Sequence, residues 1–107
     1  MSDRVKKYLP VLKRTRKLGE KARREYVRKC DRDFIDCVSE CARNVIKGNV
    51  PLTKRQMTNL RRKRHDLRAL TRKKTSLRAK RKIVQKGGFL TALLPPVLAV
   101  LTSLLSN

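Results

Sequence analysis

The segment FLTALLPPVLAVLTSLLSN, residues 89–107, contains no charged side chain, whereas the residues before it carry all 30 Lys and Arg and all 8 Asp and Glu. The composition changes abruptly at Gly87-Gly88. A protein that only coats nucleic acid has no use for an uncharged leucine-rich segment, and an ordinary membrane anchor does not need a net charge of +22. Both parts of the chain are therefore expected to take part in its function.

The composition limits the chain to one small domain with little material for a core. It has 107 residues, of which 36% are charged, and it contains no Trp, two Phe and two Tyr. Apolar residues before the Gly pair are thinly spread among Lys and Arg, so helices that pack weakly, or only once a partner neutralises them, are expected. The charge favours a nucleic-acid partner, because each neutralised phosphate releases a counterion. Anionic lipid is the alternative partner.

The spacing of apolar residues predicts an all-α fold, with a small helical hairpin over residues 20–74. Between Val27 and Ile46 apolar side chains recur every three or four positions, which is the strongest helical pattern in the chain. Gly48-Asn49 predicts the end of this helix. No strand pattern, internal repeat or glycine-rich phosphate loop accompanies it.

The second helix of the hairpin is predicted to begin after Thr53, because Thr53 and Gln56 have the spacing of a capping box. A short third helix, capped by Thr75 or Ser76, is predicted to end near Lys86. No strong apolar pattern is present at the N-terminus, so a flexible basic arm is predicted there. The predicted parts are a basic arm at 1–19, a basic helical region at 20–86, a hinge or cleavage site at 87–88 and a hydrophobic tail at 89–107.

Four clusters of Lys and Arg are candidate nucleic-acid-binding sites. They lack interleaved aromatic residues and the Asn or Gln placement that reads base edges, so they are predicted to hold phosphates. A single charge run usually marks a solvated helix face. Between Arg43 and Lys86, however, the sequence contains seventeen basic residues and only one acidic residue. Nuclear-import signals are a further use of such runs. The candidates are Lys13, Arg14, Arg16, Lys17, Arg61, Arg62, Lys63, Arg64, Arg68, Arg72, Lys73, Lys74, Arg78, Lys80, Arg81 and Lys82.

A local reversal of charge occurs in the first predicted helix. Residues 30–42 contain four acids, and Arg32 is their only basic residue. This acidic face is predicted to pair with a basic helix of the same chain or of a second copy. Self-association is therefore one of the expected interactions.

The sequence predicts no catalytic site, no cofactor and no metal site. The single His65 lies on a basic helix and has no matching nucleophile. Three cysteines form no even-numbered framework, and no secretory signal is evident, which favours a reducing compartment. Cys37 and Cys41 lie on one helix face, but their spacing from each other and from His65 matches no standard zinc finger. Buried cysteines that act as small hydrophobic residues are therefore the preferred interpretation.

The uncharged tail is predicted to contact a membrane. Nineteen residues are about the length that spans hydrocarbon as a helix. Pro95-Pro96 removes two amide donors and kinks a helix, which favours a bent hairpin or interfacial insertion. The alternative is packing as core against Val45, Met57 and Leu67, or against another chain. The candidate membrane residues are Phe89, Leu90, Leu93, Leu94, Val97, Leu98, Leu101, Leu104 and Leu105.

The segment from Gln85 to Phe89 contains Gly87-Gly88 followed by an apolar residue, and it resembles the cleavage sites of adenovirus-type maturation proteases. Those cysteine proteases have a narrow cleft that admits glycine beside the scissile bond. Their sites usually carry Met, Ile or Leu two residues before the Gly pair, where this chain has Gln85. The resemblance implies cleavage between Gly88 and Phe89.

The combination of an Arg-rich segment, a Gly-Gly site and a short hydrophobic C-terminal peptide resembles the pre-Mu (pX) core protein precursors of adenoviruses. It is also similar to the small basic core proteins of adintoviruses and of Polinton (Maverick) elements. Residues 44–52 and 85–94 carry this likeness, which extends over residues 41–98.

The resemblance implies a virion protein that condenses double-stranded DNA without sequence preference. It would lie in the virion core, and in the host nucleus during assembly, with capsid proteins and a maturation protease as further partners. After cleavage, the released tail would act on a membrane. The alternatives are a membrane-active or tail-anchored basic protein that binds anionic lipid, and a ribosome-associated RNA binder.

Overall fold

A computed structural model of the protein describes residues 3–105 and confirms that the fold is all-α. Within these residues there are eight helices and no strand. The side chains of Leu104 and Leu105, which were candidates for membrane contact, lie outside what the structure describes. The helices are α1 (Asp3–Lys7), α2 (Leu9–Lys17), α3 (Glu20–Lys29), α4 (Arg32–Ile46), α5 (Lys54–Arg62), α6 (Arg64–Thr71), α7 (Leu77–Gln85) and α8 (Phe89–Leu105).

The uncharged segment forms α8, which lies in the core and packs against α2, α4, α5 and α7. A helix that is apolar on nearly all sides has to be covered by other elements. The prediction of a mobile tail is corrected here, because the basic helices present their apolar sides to α8. The candidate membrane residues of α8 that are buried are Phe89, Leu90, Leu93, Leu94, Val97, Leu98 and Leu101. Contact of these residues with a membrane remains a prediction.

The adjacent prolines of α8 lie within the helix and do not turn it into the predicted hairpin. Proline has no N–H, so Pro95 and Pro96 cannot donate to the carbonyls of Thr91 and Ala92. Thr91 is exposed, and Ala92 and Pro95 are partly exposed. The affected turn therefore borders solvent, where water satisfies carbonyls that lack a helical donor.

The predicted flexible arm is helical over most of its length. Val5, Leu9 and Leu12 are buried in the core, where α1 packs against α4 and α2 packs against α8. Pro10 does not break α2, because it falls in the first turn of the helix, where no amide donor is needed. The expectation that residues 1–19 lack a core is therefore corrected: α4 and α8 supply one.

The predicted helix between Val27 and Ile46 is interrupted at its N-terminal end. Cys30 is extended, with ψ of 158°, and ends α3. The carboxylate of Asp31 then accepts a hydrogen bond of 3.0 Å from the amide of Phe34 and caps α4. The apolar pattern favours a continuous helix, but the Asp31 cap satisfies a free backbone amide and stabilises the start of a new helix at this point.

The other end of α4 follows the prediction. Gly48 adopts a left-handed φ of 79°, and the Asn49 amide donates to the Asn44 carbonyl at 3.0 Å. The Gly48 amide donates to the Val45 carbonyl at 3.1 Å. These two bonds form a Schellman motif, which ends the helix at the residues that the sequence indicated.

The start signals of the later helices are also confirmed. The Thr53 hydroxyl accepts from the Gln56 amide at 3.1 Å, and the Gln56 side chain accepts from the Thr53 amide at 3.0 Å. Ser76 caps α7 by accepting from the Ala79 amide at 3.1 Å. The chain returns through α5 and α6, and α6 packs against α4. The predicted hairpin region contains four helices, α3 to α6, and not two.

Around α4, aromatic side chains join the N-terminal helices to the core. Phe34 is buried, and the rings of Tyr26 and Tyr8 lie edge-on to it, with centroid distances of 5.2 and 6.4 Å. Cys37 and Cys41 are fully buried on the same helix. The core is therefore built on α4 and α8, against which α1, α2, α5, α6 and α7 pack, while α3 packs against α7 and α2.

Candidate nucleic-acid interface

The core arrangement places the candidate phosphate-binding side chains at the surface. Thirteen of the sixteen candidates are exposed, and Lys63, Lys80 and Arg81 are partly buried. None of the sixteen forms an ion pair with a carboxylate of residues 3–105. Their charge is therefore available to an external anion.

The acidic residues that form ion pairs do so with other cations. Glu25 contacts Arg28 at 2.6 Å and Lys29 at 3.3 Å, and the hydrogen bonds from both lower the pKa of Glu25 to about 2. Asp66 contacts Lys86 at 3.0 Å. The Glu25 pairs are local and solvent-exposed, so each contributes little to stability, whereas the Asp66 pair joins α6 to the end of α7. They leave the candidate clusters unneutralised.

The acidic N-terminal part of α4 lies against α1. Asp31 caps the helix, and Asp36 lies 3.9 Å from Arg32 of the same helix. Burial, followed by the nearby carboxylates of Asp31 and Asp33, raises the pKa of Tyr8. The predicted pairing of this acidic face with a basic helix of a second copy remains a prediction.

The structure brings some of the basic clusters together and leaves others apart. Lys13, Arg16 and Lys17 of α2 line one cavity together with residues of α8 and α5. Arg62 and Lys63, at the end of α5, line a second cavity on α8. The clusters at Arg72–Lys74 and Arg78–Lys82 belong to α7 and to the turn before it, and they line neither cavity.

Two arginines hold the fold together, and one of them was a candidate for phosphate binding. Arg81 donates to the carbonyl of Cys30 at 2.8 Å, at the junction between α3 and α4. Its Nε is buried without a hydrogen-bond partner. Arg81 is therefore a partly buried side chain at this junction, and its role as a phosphate ligand remains a prediction.

Arg23 is the second structural arginine, and charge patterning alone gave no sign of it. Its guanidinium donates to the carbonyls of Thr15 at 3.0 Å, Leu18 at 2.6 Å and Arg16 at 3.1 Å. It also donates to the hydroxyl of Thr91 at 2.8 Å. Carbonyls at a helix C-terminus lack helical donors and attract cations, so Arg23 ties the end of α2 to α3 and α8.

Replacing Arg23 by alanine is expected to lower the free energy of unfolding by about 2 kcal/mol, since carbonyls that are partly buried lose a charged donor. Arg24→Ala is the matched control, because Arg24 makes only an exposed pair with Glu20 at 3.6 Å, worth less than about 1 kcal/mol. Urea denaturation of both variants measures the difference. Equal losses would show that Arg23 contributes no more than a surface cation.

The cysteines and the histidine have the environments expected for structural residues. Cys37 and Cys41 are buried, and a hydrogen bond with Cys37, together with burial, raises the pKa of the Cys41 thiol. Cys30 is partly buried and His65 is exposed. Within residues 3–105, no three His, Cys, Asp or Glu side chains are grouped so as to hold a metal ion.

Among residues 3–105, no single helix has both the length and the apolar character needed to cross a bilayer. The segments Leu77–Gln85 and Phe89–Ser103, which are bent by 89° at the glycine pair, reach the required length and hydropathy only when they are taken together.

Comparison with known proteins gives no relative for this chain. No protein-family model, no curated protein and no solved structure matches it.

Proposed function

We propose that the protein binds and condenses double-stranded DNA through its phosphate backbone, without sequence preference, as a component of a viral core. The observation that carries the proposal is the set of candidate cations that surrounds an apolar core and has no carboxylate partner within residues 3–105. Unneutralised Lys and Arg gain most from a partner with closely spaced negative charges, and duplex DNA carries one charge per about 1.7 Å.

The aromatic residues support backbone binding over base recognition. Proteins that hold single strands stack bases on exposed aromatic side chains. Here Phe34 and Phe89 are buried, while Tyr8 and Tyr26 are partly buried and pack against Phe34. The sequence contains no Trp that could replace them. Phosphates are therefore the part of a nucleic acid that this surface fits best.

DNA binding is expected to weaken steeply with salt and to be independent of sequence. If about ten phosphates are contacted, the log–log slope of affinity against salt is about −9 on duplex DNA. Fluorescence titration of two unrelated duplexes of equal length, from low to physiological salt, measures both properties. A strong preference for one duplex at physiological salt would contradict the proposal.

The viral part of the proposal rests on the resemblance to adenovirus pre-Mu-type core proteins. It includes cleavage by a maturation protease between Gly88 and Phe89, in a virion core assembled in the host nucleus. Capsid proteins, the protease and further copies of the chain are the proposed partners. The glycine pair at the α7–α8 junction is exposed, which supports recognition there, whereas the buried Phe89 has to leave the core before the bond is cut.

The alternative proposal is a membrane-active or tail-anchored protein that binds anionic lipid. The apolar character of α8 favours it, as does the combined length of α7 and α8. However, the large apolar side chains of α8 are buried against the other helices, so α8 would have to leave the core before it could insert. DNA binding needs no such rearrangement, which is why we prefer it.

A further inference from the structure

Two cavities follow one another along the exposed side of α8, and we call them together the α8 groove. The first has a volume of about 680 Å³, and its base includes Pro95, Ala99 and Thr102. The second has a volume of about 220 Å³, and its base consists of Gly88, Thr91 and Ala92. Both are bordered by α5, and α2 forms the other wall of the first.

The base of the α8 groove is made of small side chains. Ala92, Pro95, Ala99 and Thr102 recur every three or four residues and so lie on one side of the helix, while the large apolar residues of α8 face the core. Peripheral membrane helices insert Leu, Phe or Trp into lipid. Among the side chains that the structure describes, the groove contains one of these types, Leu98, which is 5% exposed. Its base is suited to close contact with a ligand at the surface.

The walls of the α8 groove carry only hydrogen-bond donors and amides. Among residues 3–105, five cations line the two cavities, together with the side-chain amides of Gln56 and Asn59, and no carboxylate does. None of the five is ion-paired within residues 3–105. The cations are Lys13, Arg16, Lys17, Arg62 and Lys63.

A third cavity, on α3, shows that this charge pattern is not general. Its volume is about 810 Å³, and it is lined by Arg24 and Arg28. It also includes Glu20 and Glu25, which pair with those arginines. Two of its three cations are therefore paired with carboxylates, and Lys21 is the third, whereas none of the five cations of the α8 groove is paired within residues 3–105.

We propose that the α8 groove binds one sugar–phosphate strand of duplex DNA, an inference that rests on the DNA-binding function proposed above. From Gly88 to Thr102 the helix extends about 21 Å, the axial length of about six phosphates of one strand. The phosphates contact the basic walls on α2 and α5. The apolar face of the sugars lies on the Ala and Pro base, which has no large side chain to hold the strand away.

Neutralising one wall tests the charge contribution. The double variant Lys13→Gln, Lys17→Gln is expected to bind duplex DNA about 60-fold more weakly at 0.1 M salt, since each lost contact costs about 0.9 logarithmic units there. The salt slope should fall by about 2. The charge-matched control is Lys6→Gln, Lys7→Gln on α1, which is exposed and lies outside the groove; we expect less than about a threefold change, because distant charges are screened.

Filling the base tests the shape of the groove without changing its charge. Ala99→Trp is expected to weaken binding at least about tenfold by blocking the strand, a penalty that corresponds to the loss of roughly one phosphate contact. Ala22→Trp is the matched control, because Ala22 is an exposed alanine on α3. Equal melting temperatures of the two variants confirm that both remain folded.

The outcomes separate this inference from the proposed function. If the unmodified protein fails to bind duplex DNA, the proposed function is wrong. If it binds, but the groove variants behave as their controls do, DNA binding stands and the groove assignment is overturned. If the groove variants lose binding to phosphatidylserine vesicles but keep their DNA binding, the groove assignment is also overturned, and the groove is assigned to lipid headgroups.

Discussion

A chain that ends at Gly88 is expected to lose its cooperative fold in the absence of DNA. The truncation removes seven large buried side chains of α8 between Phe89 and Leu101, together with the buried Pro96. At about 1.5 to 3 kcal/mol for each buried side chain, the loss of about 10 to 20 kcal/mol equals or exceeds the whole stability of a typical small domain. Circular dichroism at 222 nm should show little helix and no thermal transition.

The truncation is compared with two variants of the full chain. Leu94→Ala, which removes part of one buried side chain, is expected to lower the free energy of unfolding by about 2 to 5 kcal/mol while leaving the fold intact. Thr102→Ala, at an exposed position of α8, should have little effect. A truncated chain that keeps its helix content and a cooperative transition would show that α8 is dispensable for the core.

Cleavage between Gly88 and Phe89 is expected to be at least about a hundredfold slower in the folded protein than in a free peptide of residues 83–94. Gly88 is exposed, with a left-handed φ of 82°, but Phe89 is only 1% exposed. Its amide donates to Lys86 at 3.1 Å, and the amide of Ala92 donates to Gly88 at 3.0 Å. The chain has to break these contacts to enter the protease cleft in extended form. A free-energy cost of about 3 kcal/mol for this local opening is enough to slow cleavage about a hundredfold.

The experiment uses a Gly-Gly-specific cysteine protease of the adenovirus type and follows the products by mass spectrometry. Leu94→Asp, which buries a charge in the core and releases α8, should be cut at nearly the rate of the peptide. If the folded protein is cut as fast as the peptide, the first turn of α8 offers no protection. If neither is cut, Gly87 and Gly88 form only a turn.

The helix boundaries that follow from local chemistry were predictable. Gly48, Thr53 and Ser76 each satisfy free backbone groups within a few residues of their own position, so the sequence around them contains all the necessary information. Asp31 belongs to the same class, but the apolar pattern that runs past it concealed the break between α3 and α4. Neighbouring residues decide such features, and distant parts of the chain do not.

The positions of the first and last segments were not predictable in the same way. Leu12 and Val5 are sparse apolar residues in a basic sequence, and their burial depends on α8 and α4, which are distant along the chain. Pro95 and Pro96 predict a break, since each removes a helical hydrogen bond. The sequence alone does not show that this side of α8 borders solvent, where the helix can continue. The predictions of a flexible N-terminal arm and of a break at the two prolines are both wrong, because contacts between residues far apart in sequence decide these features.

The candidate site was predictable as a set of charges and not as a shape. Every cation was visible in the sequence, but Arg23 and Arg81 are distinguished from the rest by carbonyls that only the folded chain brings near them. The α8 groove likewise depends on two basic helices that flank one apolar helix. In the sequence, the small residues at its base are part of the uncharged segment 89–107, and nothing there separates them from the large apolar residues around them.

The order of the helices along the chain also sets an order of events during protein synthesis. Leu9, at the start of α2, leaves the ribosome well before Phe89, at the start of α8. At about 5 to 20 residues per second, this interval lasts roughly 4 to 16 s. Throughout it, the nascent chain is a polycation whose helices lack their central partner, in a compartment rich in RNA. We therefore expect translation intermediates to be held by cellular polyanions or acidic chaperones until α8 emerges and closes the fold.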